Sequence, residues 1–261
     1  MNLISTLAAA LILSANPQPA ASNVDADAGT IVKKSMARNL FSLSGTAHAI
    51  MKIKGAKGEE KTRDLDVKLA RTKTGMQQVM ISFRTPPEVA GTAFLVIERP
   101  DGPPDQYLYL PALKKVRRIA AGQATDSFMG SDFSYLDLSP LPAGSTNDVE
   151  FKRLADTEVG GQPAFVVEAI AKIAGSPYSK VTTWIHREHY IPLQMEFTDA
   201  FGKPLKVLRV TKLKKIDDKL LPVEAEMKNL QKGSSTTLEL AEINLKAVLN
   251  EAEFTPEAMQ Q

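Results

Sequence analysis

From Leu43 the chain alternates: Leu43, Gly45, Ala47, Ala49, Met51 and Ile53 interleave with Ser44, Thr46, His48, Lys52 and Lys54, broken only at Ile50. A period of two predicts a long, half-buried strand. Its inward residues are small, which leaves room on that face for a helix or a ligand. Leu65, Val67 and Leu69 then alternate with Asp64, Asp66 and Lys68, and Val79, Ile81 and Phe83 follow Gly75, so the pattern predicts a meander. Pro86 and Pro87 break the chain before Ala93, Leu95 and Ile97, and Pro103 and Pro104 precede Tyr107 to Leu110. Further strands are predicted at Val149 to Leu154, Ala164 to Lys172, Lys180 to Arg187, Leu193 to Thr198, Leu205 to Leu213, Val223 to Leu230 and Thr236 to Leu245. Turn chemistry separates several of them, at Gly160-Gly161, Phe201-Gly202, Asp217-Asp218 and Lys232-Gly233. Eleven or more short strands without βαβ crossovers predict a mainly β chain built on one large antiparallel sheet. Ahead of it, Asp25 and Asp27 can cap a short helix running to Leu40, with Val32, Met36 and Leu40 forming its apolar stripe.

One stretch escapes both periods. Between about Ala120 and Asn147 no strand or helix pattern holds, yet Phe128, Met129, Phe133, Tyr135, Leu136 and Leu138 crowd among Asp126, Gly130, Asp132 and Asp137. A connection that long in a compact fold is functional or disordered, and the aromatics argue against disorder. Ser127 to Leu138 therefore has the composition of a lid or plug, with Phe128, Met129, Phe133, Tyr135 and Leu138 as the ligand-facing candidates. Core packing is the plainer alternative for the same residues. The densest basic cluster, Lys114, Lys115, Arg117 and Arg118, immediately precedes it. Lysines commonly protect an exposed sheet edge. Alternatively, Arg117 or Arg118 contacts an acidic headgroup or latches the loop through Asp126, Asp132 or Asp137.

The Tyr-x-Tyr-x-Pro run at Tyr107, the Arg117-Arg118-Ile119 triplet and Ser127 to Tyr135 (SFMGSDFSY) resemble the LolA-like outer-membrane lipoprotein-sorting family, in an exported branch. The resemblance extends more loosely from about Asn39 to Phe254. Trp184 to Leu193 and Asp199 to Lys206 are similar to the family's strand pairs, with His186 where an acidic residue is usual and Ile191 between Tyr190 and Pro192. It implies a twisted antiparallel half-barrel, with an N-terminal helix and a lid, that holds a lipid or acylated lipoprotein in its concave face. It also implies a possible partner, an inner-membrane transporter of the resistance-nodulation type. Because some relatives of this fold act as envelope-stress sensors, a protein-interaction or regulatory module that transports no lipid is the alternative function.

Composition narrows the remainder. The chain is 43% hydrophobic over 261 residues, enough for a core, and its net charge of +2 is too balanced to suggest nucleic acid. It has no cysteine, which rules out disulfides, thiol nucleophiles, thiolate metal sites and the lipidated cysteine of a bacterial lipoprotein. Residues 1–22 have a signal-peptide shape, with an apolar run from Leu7 to Leu13 followed by prolines and small residues, although no Lys or Arg precedes the run. A periplasmic, Gram-negative location for a single β domain over residues 23–261 is the expectation.

No catalytic residue, metal site or cofactor is expected. There are three histidines. On a strand His186 and His189 would point to opposite faces, and His48 sits among the polar residues of its strand, where solvation is the expected state. Asp64 and Asp66 lie on an outward face and Asp217 and Asp218 in a turn. Glycines fall singly at turns, so no phosphate-binding loop occurs.

Overall fold

The computed structural model describes residues 26–38, 42–139, 148–172 and 176–260. The expected signal segment, the helix end at Leu40 and part of the irregular stretch lie outside them.

The alternating segments form thirteen strands: β1 (Gly45–Lys54), β2 (Glu60–Arg71), β3 (Gln77–Thr85), β4 (Ala93–Ile97), β5 (Asp105–Leu110), β6 (Lys115–Arg118), β7 (Val149–Val159), β8 (Gln162–Ala171), β9 (Tyr178–His186), β10 (Pro192–Asp199), β11 (Pro204–Ile216), β12 (Lys219–Asn229) and β13 (Ser234–Asn244). They make one sheet, ordered β6-β5-β4-β3-β2-β1-β13-β12-β11-β10-β9-β8-β7. Two meanders are joined where β1 pairs antiparallel with β13, placing Met51 opposite Leu238 and Ile53 opposite Thr236.

This order has a topological consequence. Successive strands are neighbours throughout, except β6 and β7, which stand on opposite edges of the sheet. Their connection must therefore cross a face. Its described part, residues 119–139, lies on the concave one, where Phe128, Phe133, Tyr135 and Leu138 join Met51, Leu65, Phe83, Phe94, Phe197 and Met227 in the main core.

Register carries that face from strand to strand. Met195, Leu208, Met227, Thr236 and Ile53 form one row across β10, β11, β12, β13 and β1. Half-buried Val181, Met195, Leu208, Leu238 and Leu240 continue the apolar floor beside the crossing segment. The convex face over β2 to β6 is covered by the C-terminal segment, whose Leu249, Phe254 and Met259 pack on Ala70, Met80, Ala93 and Leu95.

Helix α1 (Ala28–Met36) also lies on the concave side, at the β7–β9 end. Asp27 caps it, accepting from the Thr30 amide at 3.0 Å and the Thr30 hydroxyl at 2.7 Å. Its most buried residues are Ala28, Ile31 and Ser35, while Val32 and Met36 of the expected stripe are only half-buried, Val32 packing on the same cluster. The Asp27 cap and the Arg153 guanidinium bound to the Ala26 carbonyl (2.6 Å) fix the first turn against β7 and β8. Ile31, one turn on, then takes the contact with Phe165, Val167 and Ile185.

Candidate functional site

The crossing segment is an irregular path with short 3₁₀ turns at Ala121–Gln123 and Phe128–Gly130. An isolated bridge between Ser127 and Ser134, with the Phe128 amide bound to the Phe133 carbonyl at 2.7 Å, ties off a small loop. The chain reverses inside it through two consecutive left-handed residues, Met129 at φ 51° and Gly130 at φ 79°. Glycine occupies that conformation without strain.

The loop drives its aromatic rings into the sheet. Phe128 is fully buried, with its ring centre 5.7 Å from Phe83, 5.2 Å from Phe94 and 5.6 Å from Tyr135, and Tyr135 lies 5.3 Å from Phe94. Tilted and edge-on geometries of this kind suit aromatic quadrupoles. Phe133 and Leu138 are buried, and Met129 packs at the margin with its carbonyl accepting from the Arg63 guanidinium.

Polar contacts then fix the segment to the floor. The Asp132 carboxylate accepts from the Ser234 hydroxyl at 2.5 Å and the Thr236 hydroxyl at 2.8 Å, while its amide donates back to Thr236 Oγ1 at 2.9 Å. Asp137 accepts from the Lys206 ammonium, from the Tyr178 hydroxyl at 3.0 Å and from the Ser134 amide at 2.7 Å. The Lys206 ammonium also sits 5.0 Å from the Tyr178 ring centre and 5.1 Å from that of Phe197. Gln106 donates to the Tyr135 carbonyl at 3.2 Å and to the Ser139 hydroxyl. Burial, reinforced by the negative charge of Asp137, pushes the Tyr178 hydroxyl far above the ordinary phenol range, so it remains a proton donor.

The two arginines separate by strand parity. Arg117 stands opposite Leu108, which faces the crossing segment, and its positive charge partly counters the rise that burial causes in the Tyr135 hydroxyl pKa. Arg118 stands opposite Tyr107 on the other face and pairs with Asp105, which also holds Arg99. Asp132 is anchored by hydroxyls of β13 and Asp137 by Lys206; the described ion pairs include none between these carboxylates and either arginine.

The histidines are structural in their contacts. His186 ends β9, and the chain turns at once through Tyr190 (φ 57°), which brings the His189 ring within 4.8 Å instead of sending it to the opposite face. His186 Nδ1 accepts from the Glu188 and His189 amides at 3.1 and 3.2 Å, so its proton sits on Nε2, which donates to Gln162 Oε1 at 3.1 Å. Burial, helped by His189, pulls the His186 pKa below its usual value. His48 is half-buried, lying 4.0 Å from Asp64 and 3.9 Å from Asp66.

Lys206, Thr236, Ser234, Arg63, Gln106 and Tyr178 complete the site without having been singled out from sequence. Two carried a legible signal. Lys206 is in phase with inward Leu208, and Thr236 with Leu238 and Leu240, so each interrupts an apolar row with a polar group. Beside the anchor, a cavity of about 340 Å³ opens between the crossing segment and the sheet rim, lined by Ser131, Phe133, Tyr178, Phe201 and Lys206. A second, of about 640 Å³, lies on the convex side near Trp184, Gln194 and Arg209.

Comparison with known proteins fits this architecture. A family model described as that of an uncharacterized protein matches residues 75–261. Among solved structures, a domain described as an outer membrane lipoprotein-sorting protein domain from Vibrio parahaemolyticus shares 33% identity, with a TM-score of 0.81 over 88% of this chain and 97% of that one. A DUF1329 family protein from Desulfovibrio piger superposes with a TM-score of 0.79 at 22% identity, over 90% of this chain and all of the other. A LolA superfamily protein from Nitrosomonas europaea gives 0.69 at 18% identity, over 90% of this chain and 100% of that one. No curated protein gives a significant match. On the family match and the Vibrio likeness together, the chain belongs to the family of that outer membrane lipoprotein-sorting protein domain, and its fold is LolA-like.

Proposed function

We propose that the protein is a periplasmic carrier that binds a lipid, or the acyl chains of a lipoprotein, on its concave face and passes it between envelope components. In this reading Ser127 to Leu138 form the lid, and Phe128, Met129, Phe133, Tyr135 and Leu138 hold the place that cargo takes. The observation that carries the proposal is the cover of the apolar floor: an irregular segment, fastened by a few polar contacts, occupies a face that strands or helices would otherwise seal.

The energetics suit an exchange. An acyl chain of about sixteen carbons gains on the order of 12 kcal/mol on burial, at about 0.8 kcal/mol per CH₂. Burying Phe128, Phe133, Tyr135 and Leu138 gains roughly 1.5–3 kcal/mol each, or about 6–12 kcal/mol together. Lid and cargo thus compete for the floor on nearly equal terms, which allows loading and release without a covalent step. The transporter that the family resemblance implies would be the membrane station where cargo is exchanged.

Both sheet edges are blunted, which favours the carrier over a module that captures a peptide by strand addition. β6 is four residues long and basic, and β7 is disrupted by a bulge between Leu154 and Thr157. The test is uptake and retention of a fluorescent fatty acid by wild type, Phe128→Asp and Phe133→Asp, with circular dichroism confirming that the sheet persists. Weaker retention in the variants is expected. Unchanged retention in both would sink the lid assignment.

A further inference from the structure

Two neighbouring hairpin turns at one end of the sheet expose large apolar side chains: Phe201, between β10 and β11, is 88% exposed and Leu230, between β12 and β13, is 53% exposed. Such residues scattered singly on a surface need no explanation, but these two are fastened together. Gln231 donates to Asp199 Oδ2 at 2.8 Å and to the Pro204 carbonyl at 3.1 Å, and the Leu230 amide donates to the Leu205 carbonyl at 2.9 Å. Each turn is also rigid in itself. Asp199 Oδ1 accepts from the Phe201 and Lys203 amides, both at 2.9 Å, and Asn229 Oδ1 from the Gln231 and Lys232 amides at 3.2 and 2.9 Å.

The charge around them is positive. Exposed Lys203 and Lys232 flank the apolar pair, and Lys57 projects from the adjoining β1–β2 turn, where Ala56 meets Gly233. None of the three joins an ion pair within 4 Å among the described residues; of the nearby acids, Asp199 is occupied by its turn and feels the charge of Lys203, Glu60 is paired with Lys54 at 3.8 Å, and Glu59 folds back against Gly55, which leaves Lys232 and Lys57 the least compensated. The cavity of about 340 Å³ opens at this same end, between Phe201 and the Asp132 anchor of the crossing segment.

We infer that this turn face, Phe201 and Leu230 with Lys203, Lys232 and Lys57, is a docking surface for an anionic phospholipid bilayer, set so that a docked membrane lies at the mouth of the lid. Apolar apexes sink into the boundary between headgroups and acyl chains while the lysines stay among the phosphates. Rigid turns serve this, since no loop must be ordered on binding. The inference deepens the carrier reading and rests on it for its purpose, not for its test.

The test is flotation of the purified protein with phosphatidylcholine vesicles, with and without phosphatidylglycerol. Wild type is expected to float with the anionic vesicles, and less so in high salt. Each lysine contributes roughly a fivefold gain at an anionic surface, so Lys203→Glu with Lys232→Glu should lose at least tenfold in binding and the preference for phosphatidylglycerol. Phe201→Ser with Leu230→Ser should lose binding while keeping the salt dependence of what remains. Wild type that ignores anionic vesicles, or binds them as well after all four changes, overturns the inference and points to a protein partner for this face. Fatty-acid uptake by wild type is measured in parallel: vesicle binding that depends on these residues, with no uptake, would contradict the carrier and leave the docking surface standing.

Discussion

Lys206 on β11 and Asp137 on the crossing segment form a buried ion pair, with 5% and 6% of their side chains exposed. Taking two charges out of water costs several kcal/mol each, so such a pair adds little net stability. Instead it fixes position, because only one placement of the segment brings each charge to its partner. The proposed lid, which would reseat after every release, needs that property.

Removing one partner therefore leaves an uncompensated buried charge. Lys206→Met should cost about 3–5 kcal/mol, and combining it with Asp137→Leu should recover at least half of that loss, the remainder reflecting the Ser134 amide and the Tyr178 hydroxyl, both of which lose the Asp137 carboxylate as acceptor. Urea denaturation of the single and double variants reads both. A double variant no more stable than the single would show that the charges do not answer one another.

Thr236 both accepts from and donates to Asp132, so Thr236→Val keeps the shape and removes two hydrogen bonds. The expected loss is about 1–3 kcal/mol. Because the contact joins segment to floor, the Asp132 amide should lose hydrogen-exchange protection ahead of the β1 and β2 amides. Uniform loss across the sheet would mean that the segment does not open as a unit.

Parity separates Arg117 from Arg118. The Arg117 charge favours ionisation of Tyr135, so Arg117→Ala should raise further the pKa of a hydroxyl already elevated by burial. Arg118→Ala should leave Tyr135 unmoved and relax the Asp105 pair, which keeps Arg99. Ultraviolet titration of the phenols distinguishes them, and equal effects of the two substitutions would contradict the placement.

His186 gives a pH signature. Its folded pKa lies below the ordinary 6.5, so below about that pH the unfolded chain binds the proton first. Its contribution to stability is complete above 6.5 and is lost as pH falls through the folded value. His186→Gln should remove that part of the slope in urea midpoints measured from neutral pH downward; an unchanged slope would mean that other groups produce it.

The antiparallel sheet was legible because alternation is a direct print of a half-buried strand. Where alternation fails, so did the sequence reading. β7 continues past Leu154 to Val159 through a bulge that breaks the period, and β12 begins at Lys219, ahead of Pro222. The C-terminal cover of Phe254 and Met259 has no period at all; its placement depends on the convex face it meets. The aromatic content of the crossing segment was plain, but its partners come from strands remote in sequence, so Thr236, Lys206 and Arg63 became identifiable only with the register known. The arginines show the reverse case: consecutive residues of a strand face opposite ways, so only one of Arg117 and Arg118 could reach the segment.

Whether the concave face holds acyl chains is most directly tested by native mass spectrometry of the protein purified from an envelope fraction without detergent, followed by solvent extraction. A stoichiometric phospholipid or acylated polypeptide is the predicted result. A protein that emerges empty and also fails to take up fluorescent fatty acid would contradict the carrier and leave Phe128, Phe133 and Tyr135 as permanent core.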